Sequence, residues 1–113
     1  MRSISSAAML LAALMAFAAD AQTVTTKQYR HPATEKDLNF NRAYLTGIKD
    51  GLIAYNISSE HKLFCMTGTP ALSFDRANDI LMHWANKKSV SSDSLPIGLT
   101  LLYGLKETYP CHE

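Results

Sequence analysis

From Thr34 onward, apolar residues recur at helical spacing: Leu38, Leu45, Ile48, Leu52 and Tyr55 are separated by seven, three, four and three positions. That is the stripe of one amphipathic helix reaching about Ile57, with Thr34 or Asp37 placed to cap its start. A second stripe, Ala77, Ile80, Leu81 and Trp84, follows Ser73, a good N-cap, with Asp75 in the favourable first turn, and runs to about Asn86. A third helix is expected around Pro96, which suits a first helical turn, with Asp93 or Ser94 as cap. Its Leu95, Leu99, Leu102, Leu105 and Tyr109 are joined on the other side by Ile97 and Leu101. A helix apolar nearly all round belongs at the centre of a bundle or lends one face to a subunit contact. Tyr109-Pro110 stops it.

The segments between these stripes are less ordered in pattern. Residues 22–33 lack periodicity and end in His31-Pro32, which reads as an extended lead-in. Ser58 to Pro70 is a connection that holds Cys65 and closes on the turn-like TGTP, and NKKSVSSDS before the third helix is a solvated loop. No segment alternates apolar and polar residues as a strand does. The reading is an all-α fold, a small single-domain bundle of three to four main helices over residues 34–113. Gly47 and Gly51, four apart inside the first long helix with Tyr44 beside them, imply close approach of another backbone, since glycine there costs about 1 kcal/mol relative to alanine. Trp84 is assigned to the helix-packing face of the second helix.

The first residues change the compartment. MRSISSAAMLLAALMAFAADAQ has a basic start at Arg2, an apolar run from Ala7 to Ala19 and a small-x-small site at Ala19-Asp20-Ala21, the pattern of a secretory signal cleaved before Gln22. The run is too short for a membrane span. Removing residues 1–21 from 113 leaves 92, enough for one small domain. The mature chain keeps ten bases and nine acids, a net charge near +1, with no electrostatic footprint for nucleic acid or an anionic membrane.

Export also changes the meaning of the two cysteines. In an oxidising compartment Cys65 and Cys111 have a single possible intramolecular pairing. Closing a loop of about 47 residues constrains the unfolded chain by roughly 4 kcal/mol. An oxidised pair is no nucleophile, even with His61 and His83 as candidate bases. Cys65, Cys111, His112 and His61 show no metal-ligand spacing, and Glu35, Asp37, Asp50, Asp75 and Asp79 form no paired motif for acid–base work. No cofactor or metal is expected, and the chain is read as a binding protein that is not an enzyme. The loop from Asn86 to Ser94, polar and carrying two lysines and an aspartate, is the surface on which a contact is expected.

Several of these residues together resemble a family. A signal sequence, then Tyr44-Leu45-x-Gly47-x-x-Asp50-Gly51 in the first long helix, Phe64-Cys65 in the connection, a capped second helix, and Leu105 followed by Tyr109-Pro110-Cys111 are similar to the periplasmic immunity proteins of type VI secretion amidase effectors, the Tai and Rap group. The likeness covers about residues 35–111. It departs from the family where Met66-Thr67-Gly68-Thr69 precede Pro70, which leaves the subgroup and the cognate effector open. The resemblance implies a periplasmic homodimer that covers the active-site cleft of a peptidoglycan amidase, with a loop between late helices entering the cleft. By position, that loop is Asn86 to Ser94, with Asn86, Lys87, Lys88, Ser89, Ser91, Ser92 and Asp93 as contacts and Arg76, Asp79 and His83 of the second helix in support. Cys111 is then expected to hold the last helix against the Cys65 connection so that the loop before it keeps its shape. Two other roles fit a small exported helical protein with one disulfide: an acid-stress chaperone, for which many titrating acids are expected, and a lysozyme-type inhibitor.

Overall fold

Among the described residues of the computed structural model there are four helices in chain order, α1 (Thr26–Arg30), α2 (Glu35–Ser58), α3 (Phe74–Lys88) and α4 (Ile97–Thr108), with a 3-10 turn at Ser89–Ser92 between the last two. The structure describes residues 23–68 and 71–112, and among them there is no strand. The expected signal sequence with its cleavage site before Gln22, and the Thr69-Pro70 end of the TGTP turn, lie outside the described residues. No described helix is long and apolar enough to cross a membrane.

The helix starts follow from capping. Thr34 in extended conformation accepts the Asp37 N–H at the start of α2, and Ser73 accepts the Arg76 N–H at the start of α3. Each satisfies an N–H that the helix itself leaves without a partner. α4 differs from the sequence expectation: Pro96 is its N-cap, no side chain caps it, and neither Asp93 nor Ser94 serves. Asp93 is held elsewhere, by Arg30.

Leu45 of α2, Phe64 of the connection, Ala77 and Leu81 of α3, and Ile97, Leu101 and Leu105 of α4 make the centre of the core, all with no exposed surface. α4 packs on each of the other three helices, as its apolar surround implies. Its buried stripe is Ile97, Thr100, Leu101, Gly104 and Leu105 rather than the Leu95–Leu99–Leu102 line, and Leu99 and Tyr103 face outward. Two helices come close at Gly104, where an added Cβ would lie 2.7 Å from Ile80 Cγ2 and 3.1 Å from the Ile80 carbonyl oxygen. At Gly47 and Gly51, by contrast, a Cβ would meet nothing within 4 Å, and both residues are exposed, so the expected close contact is absent among the described residues. The reason is their angle on α2: four residues apart, they point away from the Leu45 and Leu52 side that meets the core.

The lead-in is also corrected. Residues 23–31 are not extended throughout: Thr25 and Gln28 form a capping box that starts α1, and Val24, Thr26 and Tyr29 are buried. With five residues, α1 is too short to show a hydrophobic period in sequence. The connection after α2 folds around buried Asn56, whose side-chain oxygen accepts the Leu63 N–H and whose amide donates to the Phe64 carbonyl. Lys62 donates to the Asn56 and Ile57 carbonyls at the C-terminal end of α2, a favourable place for a cation. The disulfide joins Cys65 to Cys111, with Cα atoms 4.9 Å apart. The Cys65 N–H donates to the Tyr109 carbonyl beside it.

Candidate functional site: the turn between α3 and α4

α3 ends where its chain direction must reverse quickly towards Pro96. Ser89 adopts φ 55° and ψ −134°, the one non-glycine residue with positive φ among those described. That conformation costs a residue with a Cβ about 1–3 kcal/mol, so neighbouring contacts must enforce it. Six are local. The Ser89 N–H donates to the Ala85 carbonyl, buried Ser92 Oγ donates to the Ala85 and Ser89 carbonyls at 3.3 and 2.8 Å, Ser91 Oγ donates to the Lys88 carbonyl, and the Asp93 and Leu95 N–H groups donate to the Val90 and Ser92 carbonyls.

The rest come from the N-terminal segment, a partner no local pattern announces. The Thr26 N–H and its hydroxyl both donate to the Leu95 carbonyl at 2.8 Å, and the Thr26 hydroxyl also meets Thr100 Oγ1 at 2.7 Å in a fully buried pair. The Lys27 N–H donates to the Asp93 carbonyl and the Ile97 N–H to the Val24 carbonyl. Arg30 Nη1 reaches Asp93 Oδ1 at 3.3 Å, with both side chains mostly shielded from water. Residues 24–30 therefore underpin the segment 92–97 from below. Tyr29, in the same segment, donates its phenol hydrogen to Asn78 of α3, and burial pushes its pKa up to about 12 against the opposing pull of the Arg42 charge.

This network places the sequence-predicted contacts unevenly. Asn86, Lys87, Lys88, Ser89 and Ser91 are exposed. Lys87 Nζ pairs with Glu107 Oε1 at 2.6 Å across to α4, a hydrogen bond that holds the Glu107 carboxyl below its ordinary pKa, and Lys88 Nζ lies 5.6 Å above the Trp84 ring, which in turn packs on Tyr103. Ser92 is corrected from contact to support, since its side chain is fully buried and turned inward. Asp93 is largely committed to Arg30. On α3, Asp79 and His83 are exposed and share a face with Lys87, while Arg76 Nε reaches the Tyr109 hydroxyl at 3.4 Å. Tyr44 packs partly on the core and stacks on Phe40 at 6.0 Å between ring centroids.

The residue that sequence reasoning passed over is Val90. It is 78% exposed, more than any other large apolar side chain described, and sits next to the strained Ser89. The available signal was its isolation: it is the one apolar residue from Asn86 to Ser94.

The disulfide holds the C-terminal end of α4 against the Cys65 connection, as expected. That end lies about 18 Å of helix axis from the turn, and the turn itself is bonded to residues 24–30. With both cysteines oxidised there is no thiolate, and among the described residues no three His, Cys, Asp or Glu side chains gather where a metal could be held. What the turn offers chemically is a fixed backbone, one exposed apolar residue, Val90, and the exposed polar side chains of Lys88, Ser89 and Ser91. No protein-family model, curated protein or solved structure matches this chain.

Proposed function

We propose that this protein is an immunity protein that binds a cognate peptidoglycan amidase delivered by type VI secretion and blocks its active-site cleft in the periplasm, with no catalysis of its own. The observation that carries the reading is the turn at residues 88–94: residues 88–91 are exposed, and the segment is tied to a distant part of the chain by bonds from Thr26 and Lys27. A preorganised projection of this kind loses little conformational entropy on entering a cleft, which is what tight occlusion needs. The disulfide fits an exported protein. The order of motifs from Tyr44 to Cys111 supplies the likeness to the amidase immunity group, and the amidase is therefore the partner proposed.

The homodimer that the likeness implies belongs to the same proposal. On α2, Phe40, Ala43, Gly47, Gly51 and Ala54 lie on the side turned away from the core, Phe40 is 58% exposed, and the two glycines leave room for a second backbone. We assign this face to the second copy. Gly47→Leu is expected to shift the mass in solution from dimer to monomer with helix content unchanged, read by light scattering and circular dichroism.

The function is tested in cells. Periplasmic production of residues 22–113 should rescue a sensitive strain from lysis by the cognate amidase, and production of the same chain in the cytoplasm should not. Continued lysis despite soluble, oxidised protein in the periplasm would reject the reading.

A further inference from the structure

On the occlusion reading above, we infer that Val90 is the anchor of the contact, a branched aliphatic tip that seats in an apolar subsite at the floor of the partner's cleft. Four observations converge on it. Val90 is the most exposed large apolar side chain described, and it stands alone in a polar loop, with none of the described residues covering it. Its neighbour Ser89 is held in a conformation that residues with a Cβ avoid, and strain of this kind persists only where surrounding bonds over-determine it. Those bonds run below Val90 rather than around it: its own carbonyl accepts the Asp93 N–H, and Ser92 is pinned inward, which turns the Val90 side chain to the outside of the bend. Finally, a β-branched side chain has a stiff χ1 and gives up little rotamer freedom when it is captured.

The surroundings match the organisation of a binding hot spot. Lys88, Ser89 and Ser91 are exposed on either side of the tip, polar groups suited to the rim of a cleft while the apolar centre is buried. A tight turn whose residues 88–91 are exposed enters a concave site more readily than it covers a flat one. The partner chemistry this selects is a protein cleft with a small apolar pocket at its base and hydrogen-bond acceptors or carboxylates at its rim, the latter facing Lys88. The exposed face of α3 that carries Asp79 and His83 lies outside this core of the contact, and substitutions there are expected to act weakly.

The experiment titrates the cognate amidase with the oxidised mature chain and with Val90→Asp, Val90→Ala and Glu60→Ala, and reads the inhibition constant from release of peptidoglycan peptide. Because Val90 and Glu60 are exposed, all variants should keep the wild-type melting temperature, which is measured on the same samples. Val90→Ala is expected to weaken inhibition about 10-fold and Val90→Asp about 100-fold or more, with Glu60→Ala within about threefold. Wild-type inhibition that survives Val90→Asp unchanged would overturn the anchor and leave the occlusion reading standing. Failure of the wild-type chain to inhibit at all would overturn both. If Val90→Asp weakens inhibition no more than Glu60→Ala does, the anchor is likewise rejected.

Discussion

Ser89 and Tyr29 show how single residues in this protein carry opposite signs of energy. Ser89 is strained, and glycine would adopt its conformation freely. After subtracting the greater freedom glycine has in the unfolded chain, Ser89→Gly is expected to add about 1 kcal/mol of stability, a rise of about 4–8 °C in Tm. Ser89→Val should lower Tm, and scanning calorimetry on the pair checks the sign. Tyr29 is favourable as a neutral phenol bonded to Asn78. Its folded pKa, about 12, lies above the ordinary 10.0, so its contribution is fully present below pH 10 and is lost as pH rises through 12. A shift of that size is on the order of 2–3 kcal/mol. Tyr29→Phe should cost about 1 kcal/mol at neutral pH and flatten the loss of Tm between pH 10 and 12.

At the scale of elements, the helices and their caps were legible because each rests on a local signal. Thr34 and Ser73 sit directly before apolar stripes, and the expected helix boundaries fall within a few residues of α2 and α3. α1 was not legible, because five residues carry no period and its stability comes from contacts with Leu95 and Thr100, some seventy positions away. The glycines show the same division. Spacing marked Gly47 and Gly51, yet only tertiary packing shows that Gly104 is the one pressed against Ile80. Gly104→Ala should therefore destabilise the fold by about 1–3 kcal/mol through overpacking, despite alanine's better helix propensity. Thr26→Val, which strips the hydroxyl from the buried pair with Thr100, should cost about 1–3 kcal/mol and loosen the turn. Urea unfolding measures both, and hydrogen exchange at residues 89–95 reads the loosening. The candidate turn was legible as a polar loop, while Ser92's inward pose and Arg30's grip on Asp93 depend on a segment read as extended.

For the whole molecule, the disulfide and the N-terminal segment divide the work of holding α4. The first ties its end to the connection at Cys65, and the second ties its start and the preceding turn. Replacing both cysteines by serine should cost roughly 4 kcal/mol, a large share of the net stability of about 5–10 kcal/mol expected for a domain of this size. Urea midpoints of the two forms check that. The fold is a rigid mount for one projecting turn, and the role proposed for that turn is occlusion of an enzyme's cleft. The most direct test follows peptide cleavage by the cognate amidase while the oxidised mature chain is added in increasing ratio. Activity should fall linearly to zero at one protomer per enzyme; undiminished cleavage at several-fold excess would refute occlusion.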